Sequence, residues 1–366
     1  MEHTRRSVLT RGAGLLAAGS AAALAGCAGA ADGGSDGFEG GYTAFFTLTD
    51  WTNEVAGDHA GFEDPVEVGQ LGHGWTPDGN LAADVASTDA FVYLDSPEFA
   101  WAQDLAETLE DDYDSVAVID GLAGLEDDLL EWDHSHDEEH DHENEEEGHD
   151  DEHDHEDEEG HDDEHDHEDE EGHEDEEDHD EEHDHDDREF DPHVWVDPVI
   201  AADVVDTIAT GLGEADPDNA DDYAANADEY AEQLGDVDAA FESIAEDAAR
   251  DVAVLAGHNS FQYLEERYGF RLHSPVGVSP QNEPSQSEIA DTIEVVNDEG
   301  IDTVLYDRFE SDTLAETIVE NSDATETAAV TPAGGTTREW NDAGYGYLEQ
   351  MTEVNVPAFE RAFGAQ

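Results

Sequence analysis

From Trp132 to Phe190 the chain runs through a stretch made almost entirely of His, Asp and Glu, and a core cannot be built from it. Residues 134–187 hold 14 of the 20 histidines, and a 12-residue unit, Gly-His-Asp-Asp-Glu-His-Asp-His-Glu-Asp-Glu-Glu, begins at Gly148 and again at Gly160. So few apolar side chains cannot offset the entropy of ordering, which predicts a solvated, disordered insertion within a folded protein. Asp and Glu alone would make a solvating tract. Imidazoles beside carboxylates add borderline-soft ligand chemistry suited to Zn and neighbouring divalent ions, so metal handling is the leading expectation.

The N-terminus indicates a destination. Arg5-Arg6-Ser7-Val8-Leu9 reads as a twin-arginine export signal, followed by an apolar segment from Gly12 to Ala25. That segment is shorter than the roughly 20 apolar residues needed to span a bilayer. It ends in Leu24-Ala25-Gly26-Cys27, a lipobox-like string whose cysteine is the only one in the chain. No disulfide and no cysteine-based zinc site can therefore form, and Cys27 is expected to carry a lipid anchor. Residues 1–27 read as a lipoprotein signal and residues 28–41, small and Gly-rich, as a flexible tether. The expected location is the extracellular face of the cell membrane, with the protein anchored there by lipid.

Charge sets the environment. The chain has 102 acids against 10 basic residues, all of them Arg, for a formal net charge of −92. The insertion accounts for only 35 of those acids, so the rest of the chain is also strongly anionic. Self-repulsion of that size opposes compaction in dilute salt, where the Debye length is about 10 Å, and becomes tolerable at molar salt, where it is about 3 Å. The composition points to an extreme halophile, an archaeon, and argues against nucleic-acid partners, which require basic surface.

Without the signal, tether and insertion, about 270 residues remain, enough for two α/β lobes. Tyr42–Leu48, Ala90–Leu94 and Ser115–Ile119 read as strands, with helix between them, for instance around Trp101–Leu109. Beyond Asp216-Pro217, the residues Tyr223, Tyr230, Leu234, Val237, Phe241 and Ile244 recur at helical spacing and predict one face of a helix of roughly 25–30 residues. Asp251–Ala256 then reads as a buried strand, Glu288–Asn297 as a helix and Thr303–Tyr306 as another strand. The expected architecture is α/β: an N-terminal lobe over residues 42–215 interrupted by the insertion, a linking helix over 216–249, and a C-terminal lobe over 250–366.

Outside the signal and the insertion the histidines are His59, His73, His193, His258 and His273. Three of them lie in loops at element ends, where sites are usually built. His73 is in Gly72-His73-Gly74-Trp75-Thr76-Pro77, His193 in Asp191-Pro192-His193-Val194-Trp195-Val196-Asp197-Pro198, and His258 in Gly257-His258-Asn259-Ser260-Phe261-Gln262-Tyr263. Three converging neutral imidazoles would nearly fill a tetrahedral zinc site. His59 and His273 lack a comparable context and read as surface residues.

These motifs resemble those of the cluster A-I substrate-binding proteins of zinc and manganese ABC transporters, from about Tyr42 to Phe363. The Asp191–Pro198 loop matches the most specific motif of that family almost letter for letter, and Gly257–Tyr263 followed by Tyr268-Gly269 looks like its second histidine motif. Gly277-Val278-Ser279, Glu283-Pro284-Ser285 and Tyr347–Asn355 also correspond. A His- and acid-rich insertion precedes the Asp-Pro-His motif in zinc members of the family, as it does here. The resemblance implies two α/β lobes joined by a single long rigid helix, a metal site in the cleft between them, and His73, His193 and His258 as ligands. It further implies a fourth, acidic ligand after the strand Thr303–Tyr306; Asp307 lies nearest, with Glu310 and Asp312 as rivals. The chain departs from the family where its first histidine usually follows a Gly-x-Asp-Pro stretch, because Gly72 precedes His73 here.

Three imidazoles with one acid favour Zn2+, although Mn2+, which prefers more carboxylate oxygen, stays open. The implied role is capture of Zn2+ and delivery to the membrane permease of an ABC importer, by a monomer and without catalysis. A zinc hydrolase would need a base-bearing motif such as His-Glu-x-x-His, and that string does not occur in the chain. A His-rich surface zinc buffer would need no organised second site, which the Asp-Pro-His-Val-Trp motif argues against. On this reading Cys27→Ser should release the protein into the medium or leave it unprocessed. Wild-type membrane fractionation of that variant would remove the anchor from the account.

Overall fold

The computed structural model describes residues 37–72, 74–131, 190–277 and 283–365. The expected signal, Cys27, most of the tether and the 134–187 insertion lie outside these residues. Among the described residues, no helix is long and apolar enough to cross a membrane.

Two four-stranded parallel sheets organise the chain. The first contains β1 (Gly40–Thr43), β2 (Gly61–Glu63), β3 (Ala90–Tyr93) and β4 (Ala117–Asp120) in the order β2-β1-β3-β4. Helices α1 (Phe46–Ala56), α2 (Leu81–Val85) and α3 (Ala100–Asp112) connect these strands. Then come α4 (Pro198–Ala215) and α5 (Ala220–Asp247), which pack against each other. The second sheet holds β5 (Val252–Leu255), β6 (Arg271–His273), β7 (Thr303–Asp307) and β8 (Glu326–Val330) in the order β6-β5-β7-β8. Its helices are α6 (Gln262–Tyr268), α7 (Gln286–Glu299) and α8 (Thr313–Asn321). The chain finishes with α9 (Arg338–Ala343), α10 (Tyr347–Glu349), a π-helical stretch Gln350–Asn355 and α11 (Val356–Phe363). The central strands β3 and β5 are apolar runs with Ala90–Val92 and Val252–Leu255 all buried, as parallel strands covered on both faces require.

Two α/β lobes were expected, and two are present, each built on a parallel sheet. The expected strand 42–48 is shorter than its apolar run suggested. β1 stops at Thr43, extended Phe45 precedes α1, and Leu48, Trp51 and Val55 turn one helical face inward from α1. A single apolar run thus serves a strand and then a helix, because both bury against the same core. The long helix is α5, and Tyr223, Tyr230, Leu234, Val237, Phe241 and Ile244 are all buried along it. The Asp216 carboxylate accepts from Asn219 (2.6 Å) and from the Tyr223 hydroxyl (2.7 Å), which fixes the turn out of α4.

α5 belongs to both halves. Near its start the Asn226 amide donates to Val55 O (2.9 Å) in α1, and the Tyr230 hydroxyl reaches Asp50 (3.4 Å). Near its end Phe241 packs on Phe359 of α11 and Tyr268 of α6, with ring centroids 5.5 and 5.4 Å apart. The C-terminal segment adds further ties to the first lobe. The Tyr347 N–H donates to Asp50 (2.8 Å) and its hydroxyl to Trp195 O (2.5 Å). The Trp195 indole donates to Pro332 O (2.6 Å) and Thr47 to Ala333 O (2.5 Å). One apolar cluster therefore runs from Ala44 and Phe45 to Phe359 and Phe363. A smaller one, including Val254, Val296, Val304 and Ile318, lies apart from it.

A core shared in this way should melt as one unit. Phe241→Ala should cost about 3–5 kcal/mol and lower the midpoint of a single thermal transition in high salt. Two separated transitions in that melt would show instead that the lobes are independently stable.

Candidate metal centre

In the second sheet β5 connects outward to β6 on one side while β7 lies on the other. The crevice between the carboxyl ends of β5 and β7 is thus a topological switch point, where open α/β sheets bind ligands. His258 follows β5 and Asp307 ends β7, which places both at this crevice. His258, Asp307 and Glu310 each offer one ligand atom within 4.8 Å of the others, the only such metal-capable group among the described residues. His193 comes from the first lobe, and its ring centroid lies 5.7 Å from that of His258. Two histidines read from separate motifs thus meet at one place.

Each imidazole is held by a carboxylate. His193 Nδ1 is 2.7 Å from Asp191 Oδ1, which also accepts the His193 backbone N–H at 3.0 Å. His258 Nδ1 is 2.9 Å from Glu310 Oε1. An ionised carboxylate can only accept, so Nδ1 carries the proton in both rings and the lone pair of Nε2 is left available to a ligand. This is the carboxylate–histidine arrangement that fixes tautomer and ring orientation at metal sites. Room for it is made locally: a Cβ at Gly257 would stand 2.8 Å from Glu310 Oε2.

The Asp191–Pro198 loop is anchored at its far end as well. Asp197 caps α4 by accepting from Val199 N (2.8 Å) and Ile200 N (3.3 Å), and its other oxygen is bound by Nε of Arg267 in α6. Pro198 occupies the first helical position, where a missing N–H costs nothing. Between these anchors Trp195 packs 5.4 Å from His193 and 4.9 Å from Phe45.

Asp307 is the buried acid of the site. Its Oδ1 accepts from Phe309 N (2.9 Å), and its Oδ2 has no hydrogen-bond partner among the described residues. Burial pushes its pKa up to about 7, with the Glu310 charge adding and the Phe309 N–H and His258 opposing. For His258, burial alone would lower the pKa, but the hydrogen bond and charge of Glu310, with Asp307 and Asp191, raise it above the usual imidazole value. A divalent cation here would replace protons and satisfy the buried oxygen.

Of the residues anticipated from sequence, His258, Asp307 and Glu310 come together, and the His193 ring lies beside that of His258 without belonging to the metal-capable group. His73 lies outside the described residues. The chain just before it is described: a Cβ on Gly72 would stand 2.6 Å from Phe45 Cβ, on the ring cluster that also holds Trp195. Asp312 is exposed and stands at the start of α8, outside the metal-capable group. His59 pairs with Asp222 (3.1 Å) and His273 with Thr292 (3.0 Å), away from the site residues. The roles of Asp191 and Arg267 were not anticipated. An Asp two residues before a histidine is the signal for the first, since that spacing favours acceptance of the histidine N–H.

Because protons and metal compete for these atoms, zinc affinity should rise as pH increases through about 7, the Asp307 value. Calorimetry in buffers of different ionisation enthalpy should find proton release on binding at pH 6 and less at pH 8. Asp307→Asn should remove about one proton from that balance. A pH-independent affinity between 6 and 8 would contradict the assignment.

The family described as zinc-uptake complex component A, periplasmic (ZnuA), matches the chain over residues 42–362. The zinc-binding lipoprotein AdcA of Streptococcus pneumoniae is 28% identical over 320 residues, covering 87% of this chain and 54% of that protein. The chain thus spans about half the length of that relative. Among solved structures, the metal-dependent lipoprotein YcdH of Bacillus subtilis superposes with a TM-score of 0.66 at 21% identity, over 89% of this chain and 99% of that one. The Zn(II)-bound ZnuA-like domain of S. pneumoniae AdcA gives 0.65 at 24% identity, over 89% and 99%. Those two likenesses establish the fold. With the family match spanning nearly the whole described chain, the protein belongs to the ZnuA family.

Proposed function

We propose that this protein is an extracytoplasmic solute-binding lipoprotein that captures Zn2+ and delivers it to the permease of an ABC-type importer. One observation carries the reading: His193 and His258, from different lobes, bring their rings together with each Nδ1 tied to a carboxylate, and buried Asp307 lies within reach of His258. His73, His193 and His258 would be the ligands, with Asp307 as the fourth. Asp191 and Glu310 would orient His193 and His258. Binding involves no bond-making chemistry, so the protein is read as a carrier rather than an enzyme. Zinc-binding relatives and the family description support the choice of metal.

The protein would be a cluster A-I member from an extreme halophile, an archaeon, acting as a monomer. Residues 1–27 would direct export, Cys27 would hold the lipid and residues 28–41 would tether the protein at the extracellular face. Lobe boundaries are proposed at 42–215 and 250–366, with 216–249 linking them. The shared core and the Trp195–Pro332 and Tyr347–Trp195 bonds favour small tilts and loop ordering over wide hinge closure as the response to metal. The insertion would be an auxiliary collector, because an unstructured chain must lose entropy to wrap each ion and so binds more weakly than a preformed site.

A second reading has its own support. Asp307 and Glu310 beside one imidazole make an oxygen-richer set than three histidines, which moves the site toward Mn2+. Metal titration in high salt, with zinc and manganese in competition, separates the two. One tight zinc equivalent is expected, lost in His193→Ala although the insertion is intact. Deleting residues 134–187 should keep that equivalent and abolish the weaker ones. Preference for manganese, or a tight equivalent surviving in His193→Ala, would overturn the zinc assignment.

A further inference from the structure

Tyr263 sits on α6 in the second lobe, five residues after His258 in the same motif, and is buried. Its hydroxyl crosses to the first lobe. It donates to Asp191 O (2.8 Å) and accepts Leu130 N–H (3.1 Å). Those two residues flank residues 132–189, and the chain closes on itself there through Asp191 N–H to Leu130 O (2.9 Å) and an antiparallel bridge between Glu131 and Phe190. Asp191 is also the residue whose carboxylate holds His193 through Nδ1. One phenol in the second lobe therefore fixes both ends of the insertion and the backbone of the carboxylate that orients a first-lobe histidine.

We propose that Tyr263 is a positioning residue for metal capture, setting the His193 ring through Asp191. The inference rests on the zinc reading given above. An apolar side chain would fill the same space but leave the Asp191 carbonyl and the Leu130 N–H, both at the root of the site, without this partner. His193 would then sample rotations that cost metal affinity. Outer partners of metal-binding histidines typically change affinity by about 10- to 100-fold when removed.

The test is Tyr263→Phe in the full-length protein, compared with Tyr268→Phe. The Tyr268 hydroxyl bonds Asp238 (2.9 Å), away from the metal centre, so losing it reports on packing alone. Zinc affinity should fall about tenfold in Tyr263→Phe, with one equivalent still bound, and the visible spectrum of the Co2+-loaded protein should change in band position or intensity. Tyr268→Phe should lower stability while leaving the zinc affinity and the Co2+ spectrum as in wild type. In a double-mutant cycle, Tyr263→Phe should cost less affinity in an Asp191→Asn background than in wild type, because both act through one path.

Wild-type affinity together with an unchanged Co2+ spectrum in Tyr263→Phe would overturn the proposal, as would strictly additive losses in the cycle. If Tyr263→Phe does not fold, Asp191→Asn decides alone: unchanged zinc affinity there removes the path. The wild-type titration is read separately. Absence of a tight zinc equivalent in wild type defeats the zinc reading, whereas a normal wild type with an indifferent Tyr263→Phe defeats only this inference.

Discussion

An imidazole that can rotate or change tautomer is a poor partner for an ion that requires a nitrogen lone pair in a fixed direction. At the candidate centre the carboxylates at Nδ1 of His193 and His258 remove that freedom. In a chain with 102 acids, supplying carboxylates is easy and choosing among them is the difficulty. Burial and backbone geometry make the choice. Asp191 is selected by the turn that returns its oxygen to His193, Glu310 by the space left at Gly257, and Asp307 by its position at the end of β7. Among the described residues most of the acids face solvent; Glu310 and Asp191 are held against imidazoles, and burial raises the pKa of Asp307 to about 7.

That arrangement is useful only if the two lobes keep their register, since the histidines come from different sheets. Four cross-lobe features provide it: the common core, the length of α5, the Trp195 and Tyr347 bonds, and the Arg267–Asp197 pair. The last is notable in a protein with so few cations. Arg267 binds the residue that also caps α4, so one guanidinium joins α6 to the end of the histidine loop.

How much of this is readable from sequence depends on how local the deciding physics is. The buried face of α5 was legible from Tyr223 to Ile244 because a long amphipathic helix repeats its signal many times. The end of β1 was not, because Phe45 and Leu48 look alike whether a strand or a helix buries them. The three-residue edge strands β2 and β6 carry too little pattern to announce themselves. At the site, His193 and His258 stood out through their motifs, and Asp307 and Glu310 were both candidates. Only geometry separates their placements, putting Asp307 in the interior and Glu310 on the imidazole. The Arg267–Asp197 pair joins residues 70 apart in the chain, and no local pattern encodes it.

The bridge between Glu131 and Phe190 has a consequence for how such a protein can change over generations. A segment whose two ends leave the fold side by side can be lengthened or shortened without moving either end. For a flexible loop each doubling of length costs only about 0.6 kcal/mol in closure entropy. Whole 12-residue repeats, like those at Gly148 and Gly160, can thus be gained or lost by slippage at almost no thermodynamic cost to the fold. The number of histidines between these anchors can therefore change in steps while the bonds that set His193 stay as they are.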